Sequence, residues 1–294
     1  MYSQIDSNKR KTTLLITIFL ILVIALGWFF GVYMGYGYSI TIFAVIFSFI
    51  MSLTSYYKGD KIALSSTGAK AIQKQDNPYV YRMIENLAIT AGIPAPKVYI
   101  IDSPAMNAFA TGRDPEHASI ALTTGIISAL ENEELEGVIA HELSHVKNYD
   151  IRLMTIVVLL VGFVALLSNL FFRARLFGIG GRRNSNNNSG GSIIMIIGII
   201  LLILSPIIAE IIKLAISRKR EYLADASGVL LTRYPEGLAR ALEKISQSNT
   251  PLPTASAATA HLFISNPLKP KKSTSLFSTH PPIQERINKL RGMA

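Results

Sequence analysis

The fold of this chain is decided by the stretch Val138-Ile139-Ala140-His141-Glu142-Leu143-Ser144-His145-Val146, which contains the motif H-E-x-x-H. On a helix, residues four apart lie on one face, so His141 and His145 can both bind one metal ion. Glu142 then lies beside the metal, where it can accept a proton from a bound water molecule. The alternative is that two histidines on the flank of a helix make ordinary hydrogen bonds.

Two local patterns place this motif on a helix. Residues 131–136 are mostly acidic, which suits a helix N-terminus because carboxylates interact favourably with the helix dipole. Apolar residues then recur with helical spacing at Leu135, Val138, Ile139 and Leu143. We therefore predict that the motif lies on one amphipathic helix.

The composition indicates a membrane protein. Half of the 294 residues are hydrophobic and only 16% are charged, a balance that favours membrane spans over an ordinary soluble enzyme. The formal net charge of +10 reflects an excess of Lys and Arg. In a membrane protein, such an excess is typical of loops that stay on the cytoplasmic side. Nucleic-acid binding is the alternative, and we do not expect it because no nucleic-acid motif occurs. The absence of cysteine excludes disulfides and thiolate zinc sites.

The N-terminal region predicts a transmembrane hairpin. Between the basic residues 9–11 and Lys58 lie 46 uncharged residues, which as one helix would be about 70 Å long and so exceed a bilayer core. Glycines and tyrosines in residues 31–38 indicate a turn, which leaves spans at about 13–33 and 39–55. A signal peptide is disfavoured because the apolar region is too long.

The next region predicts a small sheet before the H-E-x-x-H helix. A helix begins near Pro78 and runs to about residue 91, and strands follow at 97–101, 107–112 and 119–123. Such a sheet would offer an edge with which an extended peptide could pair. A plain structural sheet explains the same pattern.

Two further apolar runs, at about 153–172 and 193–209, interrupt the soluble part. We expect an antiparallel hairpin that brings His145 and Glu221 to similar heights over the membrane. The expected parts are an N-terminal transmembrane hairpin at 1–57, the first part of the catalytic domain at 58–150, a second hairpin at 151–212 with a flexible loop at 173–191, and the second part of the catalytic domain at 213–294.

The third metal ligand has to come from outside the motif, since a catalytic zinc site uses three protein ligands and one open position. The candidate is Glu221, which lies four residues before Asp225 in a helical pattern. Asp225 could then accept a hydrogen bond from a ligating histidine and so determine which ring nitrogen faces the metal. The alternative is a surface carboxylate pair among basic neighbours.

Four motifs together carry a family resemblance: His141-Glu142-Leu143-Ser144-His145, Glu221-Tyr222-Leu223-Ala224-Asp225, Asn107-Ala108-Phe109-Ala110-Thr111-Gly112 and Thr279-His280-Pro281-Pro282. With the apolar runs around them, they closely resemble the HtpX membrane zinc metalloproteases of bacteria, which are related to the eukaryotic CAAX prenyl proteases. The resemblance covers nearly the whole chain.

This resemblance implies a mainly α membrane protein, with about four transmembrane helices and an α+β zincin-like (gluzincin) catalytic domain. It implies one zinc ion per chain on His141, His145 and Glu221, with Glu142 as the catalytic base. It also implies a bacterial plasma-membrane location, a cytoplasmic catalytic domain, and damaged or misfolded membrane proteins as substrates. The edge strand that holds the substrate would comprise Asn107, Ala108, Phe109, Ala110 and Thr111.

The remaining polar candidates lie near the C-terminus. His280 is a candidate donor to the oxyanion of the reaction, with Arg286 as a possible substrate-binding helper, although a histidine before Pro-Pro could simply cap the final helix at about 283–291. His117 is expected to be solvated. His261 lies in a segment at 246–275 that is rich in Ser, Thr, Ala and Pro, and we predict a mobile loop there that could gate the site.

Several alternatives stay open. Prenylated proteins are doubtful substrates because the prenyl proteases enclose their site with more transmembrane helices than this chain has. A zinc-binding scaffold or chaperone needs no base, so the presence of Glu142 disfavours it. A transporter would rely on Glu210 and Lys213, whose position near a helix end is explained by pairing or snorkelling. The basic residues of 173–183 conflict with a cytoplasmic catalytic domain unless the first spans dominate, and we favour full spanning.

Overall fold

The computed structural model describes residues 2–33, 37–176, 218–248, 250–256, 258–268 and 281–293. Helices account for most of these residues. They are α1 (Tyr2–Tyr33), α2 (Ser39–Ser66), α3 (Pro78–Ala91), α4 (Thr124–Ala129), α5 (Asn132–Lys147), α6 (Asp150–Leu176), α7 (Arg218–Thr232), α8 (Pro235–Gln247) and α9 (Ile283–Arg291). The strands are β1 (Lys70–Ala71), β2 (Lys97–Ile101), β3 (Ala108–Gly112) and β4 (Ala118–Thr123).

Helices α1 and α2 form the predicted N-terminal hairpin. Segments Ile5–Phe29 and Ser39–Ser66 are long and apolar enough to cross a membrane, and α2 extends 11 residues beyond the predicted end at residue 55. The helices approach closely at Gly27, where an added Cβ would lie 2.3 Å from the Ala44 Cβ. Apolar side chains such as Ile21 and Phe43 remain more than half exposed, which suits contact with lipid.

The third apolar run forms α6, which packs against this hairpin. Leu15 of α1 forms a buried cluster with side chains of α6, namely Leu153, Ile156, Val157, Leu160 and Val161. Helix α6 continues to Leu176, so the predicted flexible loop at 173–191 is wrong for its first four residues, which continue the apolar helix. The rest of that loop and the fourth run, 193–209, lie outside the described residues, so a second hairpin stays a prediction.

The sheet has the order β1-β2-β4-β3. Strands β2 and β4 are parallel, whereas the β1–β2 and β3–β4 pairs are antiparallel. The three predicted strands are confirmed within one residue at each end. The two-residue strand β1 was not predicted. Strand β3 lies at the edge of the sheet, and in its register Phe109 pairs with Ala121.

Helix α5 lies in the centre of the soluble part and confirms the predicted helix. The four apolar positions at its predicted buried face, Leu135, Val138, Ile139 and Leu143, are fully buried. Helix α7 crosses α5 closely because Gly228 has no side chain, and an added Cβ there would lie 3.1 Å from the His141 backbone nitrogen. This close crossing brings Glu221 and Asp225 to the H-E-x-x-H face.

The segment after α8 corrects another prediction. Within 250–256 and 258–268, the side chains of Leu252, Leu262, Phe263 and Ile264 are buried, and the Phe263 ring packs edge-to-face on Phe109 with centroids 4.9 Å apart. The prediction of a mobile loop is therefore wrong for these residues, because a few apolar side chains anchor an otherwise polar segment. Residues 249, 257 and 269–275 of the predicted loop lie outside the described residues.

Candidate metal centre

Successive turns of α5 carry two buried histidines whose rings meet. The Nε2 atoms of His141 and His145 lie 3.2 Å apart, and the ring planes are perpendicular. Their side chains are only 1% and 5% exposed. Two protonated imidazoles this close and this buried would repel each other strongly. The two facing nitrogens can therefore share one proton or one metal ion between them.

Helix α7 adds a carboxylate to this pair. The Glu221 Oε2 lies 3.9 Å from the His141 Nε2, and the Glu221 Oε1 lies 3.7 Å from the His145 Nε2. Zinc binds nitrogen and oxygen at about 2.0–2.2 Å, so tetrahedral ligand atoms lie about 3.3–3.6 Å apart. The observed separations, all within 4.8 Å, fit a metal ion with small adjustments of Glu221.

Asp225 supports the first histidine. Its Oδ1 lies 2.9 Å from the His141 Nδ1, and its two oxygens accept hydrogen bonds from Arg286 at 2.6 and 2.9 Å. Burial would raise the pKa of Asp225, but the charge of Arg286 and the bond with His141 lower it to about 2. Burial lowers the pKa of His141 to about 4, although the bond with Asp225 opposes this shift. Asp225 thus leaves the His141 Nε2 facing Glu221.

Asp150 supports the second histidine in the same way. The His145 Nδ1 lies 3.0 Å from the Asp150 Oδ2, and both side chains are buried. Burial alone would lower the pKa of His145, but the hydrogen bond with Asp150 and the charge of Glu221 raise it to about 9. Asp150 was not predicted from the sequence, although an acidic residue five positions after the second histidine, at a helix start, was a usable signal.

Glu142 faces the same space as the ligands. Its side chain is 2% exposed, and the Ala110 backbone N–H donates a hydrogen bond to its carboxyl group. Burial raises the pKa of Glu142 to about 7, and the neighbouring Glu221 carboxylate adds to that shift, whereas His145 opposes it. A carboxyl group that titrates near neutral pH can both accept and return a proton.

The other predicted site residues fall in three places. Arg286 is fully buried and lies behind the ligands, where it binds Asp225 and has its Nη1 3.7 Å from the Glu221 Oε2. His280 lies outside the described residues. His117 is half-exposed and bonds Asp114, which agrees with the prediction of a solvated residue, whereas His261 is buried and contacts the Met154 carbonyl oxygen at 3.0 Å.

The predicted substrate strand, β3, borders the site and already has partners along its outer edge. The Ile264 N–H donates to the Ala108 carbonyl oxygen at 2.9 Å, and the Asn107 side-chain amide donates to the Ser265 carbonyl oxygen at 2.9 Å. At the other end, the Gly112 N–H donates to the Thr155 hydroxyl. Phe109 and Thr111 are fully buried.

Comparisons with known proteins agree with this geometry. The profile of Peptidase family M48 matches residues 74–294. A "Protease HtpX homolog" of Caldanaerobacter subterraneus subsp. tengcongensis is 48% identical over 294 residues, covering 100% of this chain and 98% of the relative. A "Protease HtpX homolog" of Streptococcus uberis is 44% identical over 297 residues, covering 100% of both chains.

A solved structure shows the same fold. The crystal structure of S. mikatae Ste24p superimposes with a TM-score of 0.53 at 21% sequence identity, covering 99% of this chain and 67% of that chain. At this identity the likeness concerns the arrangement of the elements.

Proposed function

Since this chain belongs to peptidase family M48 and is a membrane metalloprotease, we propose that it is a zinc endopeptidase with one zinc ion per chain, bound by His141, His145 and Glu221. Glu142 is the general base. The observation that carries the proposal is the convergence of three buried ligand atoms within 4.8 Å of one another, with the Glu142 carboxyl group beside them. Two imidazoles and one carboxylate form a donor set that suits catalytic zinc.

A bound zinc ion would supply Lewis acidity, which lowers the pKa of a water molecule and polarises the carbonyl group of the peptide bond to be cleaved. Glu142 accepts the proton of the attacking water and then passes it to the leaving amine. The raised pKa of Glu142, about 7, supports this double role because the group exchanges a proton readily near neutral pH.

The ligands are held for this task by two carboxylates. Asp225 and Asp150 each bond the Nδ1 of one histidine, so each ring presents its Nε2 to the metal. The positive charge of Arg286 compensates the negative charge of Asp225. Arg286 thereby holds Asp225 in the position from which it orients His141. The remaining role, stabilisation of the oxyanion, is proposed for His280, because charge develops on the peptide oxygen during attack. Arg286 is fully buried and binds both oxygens of Asp225, so we do not assign it to the oxyanion.

We propose that the substrate binds in an extended form along β3. An edge strand offers main-chain hydrogen bonds without regard to side chains, which suits a protease that cleaves many sequences. The Ala108 carbonyl oxygen is bonded by Ile264, and the Asn107 amide by Ser265. A substrate that uses these two groups would therefore have to replace the main chain of residues 264–265.

The membrane arrangement follows from the apolar segments. We propose four spans, of which Ile5–Phe29 and Ser39–Ser66 are the two candidates among the described residues. The excess of Lys and Arg next to the spans supports a cytoplasmic catalytic domain in the bacterial plasma membrane. The four parts at 1–57, 58–150, 151–212 and 213–294 remain our division of the chain. If α6 forms the third proposed span, it connects the site directly to the membrane, and misfolded or damaged membrane proteins are therefore the proposed substrates.

The alternatives are less well supported. A CAAX-type protease would require a prenylated substrate, and the likeness to Ste24p is a likeness of fold at 21% identity. A scaffold or chaperone with a degenerate zinc site would not need Glu142, which is buried beside the ligands at a cost in desolvation.

The proposal is tested by cleavage of casein or an unfolded membrane protein by the purified chain in detergent. Treatment with a zinc chelator should abolish cleavage, and added zinc should restore it, whereas added magnesium should not. Cleavage that persists after elemental analysis has shown the metal to be removed would refute the proposal. Preference for a prenylated peptide over its unprenylated form would favour the CAAX alternative.

A further inference from the structure

The second metal-ligand histidine is connected to the first membrane helix by a chain of buried polar groups. This chain runs from His145 through Asp150 to Asn8, which lies on α1, 142 residues away from Asp150 in sequence. Asn8 and Asp150 are each 1% exposed. Burying polar groups costs free energy unless they are hydrogen-bonded. A buried polar contact between such distant parts of the sequence therefore indicates a specific role.

The turn between α5 and α6 places Asp150 under His145. Helix α5 ends at Lys147 and α6 begins at Asp150, so only two residues connect them. One of these is Tyr149, whose φ of 60° lies in the left-handed region that non-glycine residues adopt at a cost. This tight reversal returns the chain so that the Asp150 Oδ2 lies 3.0 Å from the His145 Nδ1.

Asn8 then holds the other oxygen of this carboxylate. Its Nδ2 donates to the Asp150 Oδ1 at 2.6 Å and to the Asn148 carbonyl oxygen at 2.9 Å. The two oxygens of Asp150 thus have separate partners, one on the metal-ligand histidine and one on α1. Arg220 lies nearby, with its Nη1 3.7 Å from the Asp150 Oδ1, and contributes the compensating positive charge.

We propose that Asp150 and Asn8 are positioning residues for the metal site, so that the packing of the N-terminal membrane hairpin sets the affinity for the metal. Asp150 holds His145 in the tautomer and orientation that present its Nε2, and Asn8 holds Asp150 from α1. The inference rests on the proposed metal site at His141, His145 and Glu221. It extends that site to a residue that belongs to a candidate membrane span, Ile5–Phe29.

The alternative is that Asn8 merely fastens α1 to the soluble part. Both readings predict some loss of stability when Asn8 is removed, so stability alone does not separate them. The separating quantity is the affinity of the folded protein for zinc. Residues that orient a metal ligand typically change metal affinity by 10–100-fold when replaced, whereas a purely structural bond leaves the affinity of the folded form unchanged.

The experiment measures zinc affinity of the full-length chain in detergent, by competition with a chelator of known affinity, at a temperature where each metal-free variant is folded. Asp150→Asn should weaken zinc binding about 10–100-fold. Asn8→Ala should also weaken it relative to the unmodified protein, by a smaller factor than Asp150→Asn, because it acts through Asp150. The matched control is Thr13→Ala on the exposed side of α1, which should bind zinc like the unmodified protein.

The outcomes separate this inference from the proposed function. Failure of the unmodified chain to bind zinc, or binding unaffected by His141→Ala, would refute the metal site itself. If that site holds, affinities of Asp150→Asn and Asn8→Ala equal to that of Thr13→Ala would overturn the positioning role. Should Asp150→Asn fail to fold, Asn8→Ala decides alone: weaker binding than the control supports the inference, and equal binding overturns it.

Discussion

Glu221 and His145 are 76 positions apart in sequence and lie on different helices, yet the Glu221 Oε1 lies 3.7 Å from the His145 Nε2. The short distance depends on the close crossing of α5 and α7 at Gly228. It completes a cluster of three buried side chains that can bind a metal ion, in a chain that contains no cysteine.

The metal should stabilise the fold. Because the ligand atoms converge only in the folded chain, zinc binds the native state and raises its free energy of unfolding by about 2.7 kcal/mol when free zinc is 100 times the dissociation constant. Thermal unfolding in detergent, with a chelator or with added zinc, measures the effect. His141→Ala should lose the zinc-dependent shift of the midpoint, and an equal shift in that variant would contradict the assignment.

Removal of Arg286 should be strongly destabilising. Its guanidinium group is fully buried and binds both oxygens of Asp225, so Arg286→Ala leaves a buried carboxylate without its positively charged partner. Breaking a buried ion pair in this way costs about 3–5 kcal/mol. Chemical unfolding of the metal-free form measures the change. Arg291→Ala is the matched control on the same helix, since the Arg291 side chain is 44% exposed and its ion pairs with Glu236 and Glu243 lie at the surface. A similar loss in both variants would argue against the special role of Arg286.

The segment after α8 should act as part of the core. Phe263 is fully buried against Phe109, so Phe263→Ala should lower the free energy of unfolding by about 3–5 kcal/mol. Deletion of residues 250–268 should therefore destabilise the enzyme and lower its activity, which reverses the effect expected of a mobile gate. Leu268→Ala, at a position that is 37% exposed, is the control. Higher activity with unchanged stability after the deletion would instead support a gating role for this segment.

The membrane arrangement can be tested directly because the chain contains no cysteine. A single cysteine introduced by Asn187→Cys should be labelled by an impermeant reagent from the outside of intact cells if runs 153–172 and 193–209 cross the membrane fully. A cysteine introduced by Lys74→Cys, on an exposed side chain of the soluble part, should react only after the cells are opened. Labelling of both from the same side would contradict full spanning.

Much of the site was predictable because helical spacing is a local property. The two residues of each pair, His141–His145 and Glu221–Asp225, lie four positions apart and so share one helix face. A catalytic zinc site needs a third protein ligand beside two histidines, which is why the two pairs were assigned to one site. The strands were predictable from short β-branched runs between turn residues. Strand β1 has only two residues and exists only through its pairing with β2. No local pattern in the sequence therefore predicts it.

What the sequence analysis missed depends on long-range packing. The contact of Asn8 with Asp150 joins residues 142 positions apart, and no periodicity marks either of them. The segment at 250–268 is polar in composition, and only its burial against Phe109 shows that Leu262, Phe263 and Ile264 anchor it. Arg286 was expected at the oxyanion, but its partner is Asp225, a pairing that required the positions of α7 and α9.

If Glu142 is the base of a zinc-dependent hydrolysis, the Glu142→Gln variant should keep its metal and lose its activity. Its zinc content and its rate of casein cleavage should be measured on the same purified sample. We expect one zinc ion per chain, as in the unmodified protein, and a loss of cleavage of at least about 100-fold, because an amide cannot accept the proton of the attacking water. Full zinc content together with undiminished cleavage would contradict this role of Glu142.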